Sequence, residues 1–222
     1  MSFNRDIENN TVNAENQVSK NSRIYEGGDG SVRVLFLGNS ITLHESAPHI
    51  GWRADWGMAA SERENDYVHL VIDGLSELYG DISYCITNVA EWERGYFDDE
   101  NIKKFELSRD FGADIVVIRL GENVNREMLD KESLSEHLSR FARYFSQKAS
   151  RVIITDLFWQ HDAICKACYD VANELGATFV HLSDLGENDE NKAIGLFWHE
   201  GVALHPGDLG MRRIADRILA CF

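Results

Sequence analysis

Five apolar runs, separated by longer segments of mixed polarity, divide the chain at similar intervals. They are rich in consecutive β-branched and other apolar residues, a pattern typical of parallel strands that are buried on both faces. The runs cover residues 32–37, 82–86, 115–120, 151–156 and 178–182. They predict a mostly parallel five-stranded sheet whose strands are connected by helices.

The segments between the runs carry apolar residues at intervals of three and four, which predicts amphipathic helices. The helical faces are Tyr67, Leu70, Val71, Leu75 and Leu78; Leu134, Leu138, Phe141, Ala142 and Phe145; and Met211, Ile214, Ala215, Ile218 and Leu219. Asp208 is the predicted N-cap of the last helix. Strands that alternate with helices predict a three-layer α/β/α sandwich, here over residues 31–222. The preceding residues 1–30 are predicted to be a flexible or surface-draped arm.

The charge balance limits the partners of the protein. The chain has 222 residues and a formal net charge of −15 at pH 7. An acidic surface repels phosphate backbones and anionic lipids, so we expect neither nucleic acid nor a membrane as a partner. No run approaches the roughly 20 apolar residues that cross a bilayer, and the N-terminus does not resemble a secretory signal. We therefore expect a cytoplasmic protein, while its oligomeric state stays open.

The cysteines and histidines do not predict a metal or redox centre. Cys165 and Cys168 form a C-x-x-C pair, but they fall within a predicted helix and have no second pair. No two histidines have H-x-x-x-H spacing. We expect reduced, packed thiols and no metal.

Polar residues follow the first and third apolar runs, and a histidine precedes the last helix. These residues are Ser40, Asn123 and His205. Because parallel strands joined by right-handed crossovers end at the same edge of a sheet, the two loops are expected to lie close together. The hydroxyl at this edge is a candidate nucleophile, and the histidine is a candidate general base because a neutral imidazole can take and return a proton. Taken singly, Asn123 is as well explained as a turn residue, and Ser40 and His205 are better explained as a helix cap and an exposed histidine.

The segments around these residues resemble the SGNH hydrolases, also called the GDSL family. The matching blocks are residues 38–40 (Gly-Asn-Ser), 87–93, 121–123 (Gly-Glu-Asn) and 205–208 (His-Pro-Gly-Asp). The resemblance implies a flavodoxin-like fold and ester hydrolysis through an acyl-serine, with no cofactor. It assigns Ser40 as the nucleophile and His205 as the general base. The Asn123 amide and the Ala90 N–H would bind the oxyanion.

The chain departs from the family at three positions. Asn39 stands where the commonest motif has aspartate, and the second block has Ala90 where the family usually has a glycine. Val202 replaces the aspartate that commonly orients the histidine. Glu200 is the carboxylate nearest to His205 in sequence and is a candidate orienting acid; the alternative is a Ser-His dyad.

Aromatic residues near the nucleophile motif bear on the substrate. We assign Trp52, Trp56 and Trp92 to substrate binding, together with Asn39, because indole rings stack on sugars. The alternative is that Trp52 and Trp56 form a packed helical pair. The predicted substrate is a small acyl ester, with O-acetyl groups on carbohydrate as the leading candidate. Acyl transfer by the same residues, or non-catalytic carbohydrate binding, are the alternatives.

Overall fold

A six-stranded sheet forms the centre of the protein in the computed structural model, which describes residues 21–222. The strands are β1 (Ser22–Tyr25), β2 (Val32–Gly38), β3 (Ile82–Asn88), β4 (Ile115–Arg119), β5 (Arg151–Thr155) and β6 (Thr178–Val180). Their order is β1-β3-β2-β4-β5-β6; β1 is antiparallel to β3, and the other pairs are parallel. The five predicted parallel strands are confirmed, and the sheet has one strand more than predicted.

The additional strand, β1, lies at the edge of the sheet. Ile24 packs against the core, and Tyr25 stacks on Tyr84 with ring centroids 4.5 Å apart. The predicted arm over residues 1–30 is therefore wrong where it includes β1, while residues 1–20 lie outside the described residues. A strand of four residues is too short to show a recognisable alternation in the sequence.

Helices cover both faces of the sheet. They are α1 (Tyr67–Tyr79), α2 (Ala90–Arg94), α3 (Glu106–Asp110), α4 (Leu134–Phe145), α5 (Asp162–Leu175), α6 (Glu200–Ala203) and α7 (Asp208–Leu219). The apolar sides of α1 and α7 pack on one face, and those of α4 and α5 pack on the other. This arrangement is the predicted three-layer α/β/α sandwich.

Strand β2 shows how the sequence divides the core into two layers. Side chains alternate across a strand, so Val34 and Phe36 join the layer under α1 and α7. Leu35 and Leu37 join the opposite layer under α4 and α5. All four side chains are fully buried, which fixes the position of the loop that follows β2.

Two details of the predicted helices are wrong. Gly207 is the N-cap of α7, and Asp208 is its first helical residue. The Asp208 carboxylate instead accepts hydrogen bonds from the N–H and hydroxyl of Ser61, at 2.8 and 2.6 Å. Leu78 lies in the last turn of α1 with 60% of its surface exposed, so it is not part of the core face.

The C-x-x-C pair lies on α5, where Cys165 and Cys168 are both free thiols. Burial raises the pKa of the Cys168 thiol. Within residues 21–222, no helix is long and apolar enough to cross a bilayer, and no group of side chains is arranged to hold a metal ion.

Candidate active site

The carboxyl ends of three neighbouring strands meet at one edge of the sheet. Gly38 at the end of β2 pairs with Asn88 of β3 on one side and Arg119 of β4 on the other. A Cβ atom at Gly38 would lie 2.6 Å from the Arg119 carbonyl oxygen, so glycine is needed for this close approach. The loops after these strands carry Ser40 and Asn123, as the strand order predicts.

The serine and histidine predicted from the sequence are in direct contact. The Ser40 Oγ lies 2.8 Å from the His205 Nε2, although 165 positions separate them in the chain. His205 comes from the loop between α6 and α7, and its Nδ1 lies 2.6 Å from the carbonyl oxygen of Gly201. The two ring nitrogens therefore face a hydroxyl and a backbone carbonyl.

These contacts decide which nitrogen of His205 carries the proton. The Gly201 carbonyl oxygen only accepts hydrogen bonds, so Nδ1 must carry a hydrogen. In the neutral ring, Nε2 then has a lone pair directed at the Ser40 hydroxyl. Burial lowers the pKa of His205 to about 4, because the desolvated ring disfavours the charged form. The imidazole is thus neutral at pH 7 and is oriented as a proton acceptor.

The structure does not bring the candidate orienting acid to the imidazole. Glu200 is the first residue of α6, and its side chain is exposed, while the His205 Nδ1 is occupied by Gly201. Val202, which replaces the family's aspartate, is buried in an apolar cluster with Met58. The arrangement is a Ser-His pair whose histidine is held by a backbone carbonyl.

Ser40 and His205 open into a cleft of about 570 Å³ that Asn123 and Ala90 also line. The Ser40 N–H has no acceptor among the described residues. One hydrogen of the Asn123 amide is donated to Glu93 at 2.8 Å, which leaves the second hydrogen for another acceptor. Both donors belong to residues that line the cleft.

The Ala90 N–H, which the sequence predicts as an oxyanion donor, already has an acceptor within the protein. It is the first residue of α2, and its N–H donates to the side-chain oxygen of Asn88 at 2.9 Å. The Asn88 amide in turn donates to the carbonyl oxygen of Leu43 at 2.7 Å. The Ala90 N–H lies at the cleft but is already engaged in a hydrogen bond.

The three tryptophans predicted to bind substrate are packed within the protein. Trp52 and Trp56 contact each other edge to face at 6.0 Å, and the Trp56 indole N–H donates to the carbonyl oxygen of Ala60 at 3.0 Å. Trp92 is buried against Phe141 with ring centroids 4.1 Å apart. None of the three lines the cleft, so this assignment is wrong. The predicted helical pair is also wrong, because Trp52 and Trp56 lie in isolated β-bridges rather than a helix.

Two other tryptophans do not line the cleft but contact histidines that do. The Trp159 ring packs edge to face on His205 at 5.1 Å. Trp198 is 74% exposed and contacts the ring of His199, which lines the cleft, at 5.6 Å. The sequence shows both as aromatic residues in loops, but it does not show which loops surround the histidine.

Asn39 does not face the cleft, so its assignment to substrate binding is wrong. Its side chain is fully buried and contacts Glu93, Arg119 and Glu122. Burial raises the pKa of Glu93, and the nearby charge of Glu122 raises it further, while hydrogen bonds to the carboxylate oppose this shift. The sequence analysis missed this polar cluster, although an arginine within the apolar run of β4 was a signal for it.

No protein-family model matches the chain, and no curated protein matches it. Solved structures do match. The esterase EstA from Pseudoalteromonas sp., inhibited by monoethylphosphonate, is 16% identical with a TM-score of 0.52, covering 85% of this chain and 94% of that chain. The acetylxylan esterase Axe2 from Geobacillus stearothermophilus, a catalytic mutant, is 16% identical with a TM-score of 0.52, covering 87% and 94%.

A third match is a two-domain esterase, CEX, that is active on acetylated mannans. It is 18% identical with a TM-score of 0.54, and the match covers 86% of this chain and 48% of that chain. At these identities the comparisons establish the fold. The chain shares the α/β/α fold of these esterases, which confirms the predicted three-layer sandwich.

Proposed function

We propose that the protein is a serine esterase that hydrolyses small acyl esters through an acyl-serine intermediate. The observation that carries this proposal is the 2.8 Å contact between the Ser40 Oγ and the acceptor nitrogen of His205, in a cleft that Asn123 also lines. A nucleophile within hydrogen-bond reach of a neutral base is the arrangement that acyl transfer requires.

In the acylation step, the Ser40 Oγ attacks the carbonyl carbon of the ester and its proton passes to the His205 Nε2. The carbonyl oxygen becomes an oxyanion, which the Ser40 N–H and the Asn123 amide stabilise. The bond to the leaving alcohol then breaks, and His205 returns the proton to the alcohol oxygen. The Gly201 carbonyl accepts the Nδ1–H throughout and holds the ring in position.

Deacylation repeats these proton transfers with water. His205 takes a proton from water, the resulting hydroxide attacks the acyl-serine, and a second oxyanion forms in the same place. Its collapse releases the carboxylic acid and returns the proton to the Ser40 Oγ. An alcohol in place of water would make the protein an acyltransferase.

We infer that the substrate is an O-acetyl group on carbohydrate. Two similar folds belong to esterases described as acting on acetylated xylan and acetylated mannan. Trp198 supports this substrate class, because an exposed indole beside a cleft offers a flat apolar surface to the face of a sugar ring.

Hydrolysis of p-nitrophenyl acetate and labelling by a fluorophosphonate test the reaction. We expect the wild-type protein to turn over the ester and to be labelled at Ser40. Ser40→Ala should lose both properties and keep its fold by circular dichroism, since removal of an acyl-transfer nucleophile costs several orders of magnitude in kcat. The exposed Ser76→Ala variant on α1 serves as a matched control.

Two outcomes would contradict this function. Retention of more than about a tenth of the wild-type rate by Ser40→Ala would exclude it as the nucleophile. Binding of acetylated glycans without turnover or labelling would favour the non-catalytic alternative.

A further inference from the structure

A cluster of polar side chains is buried directly beneath the nucleophile loop. Asn39, Glu93 and Arg119 are fully buried, and only 7% of the Glu122 side chain is exposed. Ionised groups lose much hydration energy on burial, so they persist only where partners compensate. The carboxyl groups of Glu93 and Glu122 and the guanidinium of Arg119 therefore need polar partners, and Asn39 is one of these partners.

Asn39 is the centre of the cluster because both its amide oxygen and its amide nitrogen form hydrogen bonds within it. Its oxygen accepts a hydrogen bond from Arg119 at 2.9 Å. Its nitrogen donates to Glu93 at 3.1 Å and to Glu122 at 2.5 Å. An aspartate has no donor, so it would direct an oxygen at two carboxylates. The residue that the commonest family motif prefers is therefore mismatched to these surroundings.

Glu93 connects this cluster to the oxyanion donor. Its Oε2 accepts from the Asn123 side-chain amide at 2.8 Å, and its Oε1 accepts from Asn39, from the Gly121 N–H and from the Asn123 N–H at 3.4 Å. All of these groups are donors, so both oxygens of the Glu93 carboxyl group have hydrogen-bond partners. The carboxylate thus fixes both the backbone and the side chain of Asn123.

We propose that Glu93 is a positioning residue that holds Asn123 in place for oxyanion binding, and that Glu93 and Glu122 together require asparagine at position 39. The proposal rests on the esterase function proposed above. It concerns residues that do not touch the substrate and act through Asn123.

The first test replaces the carboxylate of Glu93 by an amide of the same shape. In Glu93→Gln, one nitrogen must face a donor whichever way the amide is turned, so Asn123 loses its fixed orientation. We expect kcat for p-nitrophenyl acetate to fall roughly 10- to 100-fold with KM within about threefold, because the lost interaction acts in the transition state. Glu174→Gln, which changes a surface glutamate bonded to Ser139 and Arg143, should leave kcat unchanged.

The second test exchanges donor and acceptor within the cluster. Glu122 has one oxygen that accepts from Arg119 and from the Phe158 N–H, and another that accepts from Asn39. In Glu122→Gln, the new nitrogen would face the Asn39 nitrogen, and in Asn39→Asp one oxygen would face both carboxylates. In the double variant, the amide introduced at position 122 can donate to the carboxylate introduced at position 39, while the amide oxygen keeps the contacts with Arg119 and Phe158.

We expect each single substitution to lower kcat at least tenfold, and the double variant to regain at least tenfold over Asn39→Asp. If the two substitutions only damaged the structure independently, their effects on kcat would add, and the double variant would be less active than either single variant. If Asn39→Asp fails to fold, recovery of a cooperative thermal transition in the double variant is the same test.

Three outcomes would overturn the proposal while wild-type activity and Ser40 labelling leave the esterase function intact. They are a kcat of Glu93→Gln within twofold of the wild type, an Asn39→Asp variant with full activity, and a double variant no better than Asn39→Asp. Absence of activity and labelling in the wild type would refute the esterase function, and the positioning role with it.

Discussion

At the residue scale, the environment of His205 determines its proton-accepting role. A buried ring has a depressed pKa, and the Gly201 carbonyl selects the tautomer whose Nε2 faces Ser40. In an Asp-His-Ser triad the carboxylate fixes the tautomer and also stabilises the imidazolium that forms. A carbonyl dipole fixes the tautomer but carries no charge, so the imidazolium is stabilised less here.

The depressed pKa of His205 predicts activity at acid pH. Protonation of His205 removes the base, so kcat/KM should stay level from pH 8 to about pH 5 and fall with an apparent pKa near 4. NMR titration of the imidazole nitrogens in the free protein, assigned with His205→Gln, separates this group from carboxylates that titrate nearby. An acid limb near 6.5, the ordinary value for histidine, would contradict this prediction.

Glu200→Gln should be nearly silent. Its side chain is exposed and does not reach the imidazole, so we expect kcat and KM to stay within about twofold of the wild type. Neutralising the orienting acid of another serine hydrolase lowers kcat about ten-thousandfold. A fall beyond roughly a hundredfold, with the fold intact by circular dichroism, would make Glu200 the missing acid and refute the role of Gly201.

At the scale of elements, the strand order explains which parts of the site could be predicted. Ser40 and Asn123 follow buried strands whose apolar runs are visible in the sequence, so their shared edge follows from topology alone. Glu93 could not be assigned in the same way. It lies on the five-residue helix α2, and the direction of its side chain depends on how that short helix packs under the nucleophile loop.

The errors in the sequence analysis have a related cause. The sequence alone does not show whether Trp52 and Trp92 are exposed or buried, because burial of a side chain depends on neighbours that are distant in the chain. Trp92 meets Phe141, 49 positions later, and Trp52 meets Phe197. The short edge strand β1 and the buried position of Asn39 depend on such tertiary contacts too.

Helix α6 presents the Gly201 carbonyl to His205, and Val202 of the same helix is buried in an apolar cluster at the wall of the cleft. Val202→Asp is therefore expected to destabilise the fold rather than complete a triad. An unpaired carboxylate among apolar side chains should lower the free energy of unfolding by roughly 3–5 kcal/mol at pH 7. Urea denaturation measures this change, and Val202→Asn separates the effect of charge from that of polarity. Higher kcat at unchanged stability would show that the aspartate reaches the imidazole.

At the scale of the whole molecule, the segment before His205 connects the proposed base to the rim of the cleft. His199, Gly201 and Val202 line the cleft, and the residues just before them are the exposed Leu196 and Trp198. One short stretch of chain thus carries both the base and the only highly exposed indole among the described residues. The exposed indole therefore lies only seven positions before the histidine that contacts Ser40.

This arrangement predicts that Trp198 contributes to the recognition of saccharides and not to the chemistry. Trp198→Ala should lower kcat/KM for an acetylated xylo- or manno-oligosaccharide about tenfold, equivalent to about 1.4 kcal/mol, because the stacking surface is lost. It should leave p-nitrophenyl acetate hydrolysis unchanged, since that ester has no sugar ring. Leu196→Ala is the matched control, because Leu196 is 73% exposed and Trp198 is 74% exposed on the same segment. Equal losses in the two variants, or a loss on both substrates, would show that the segment acts through its general conformation and would remove the support of Trp198 for a carbohydrate substrate.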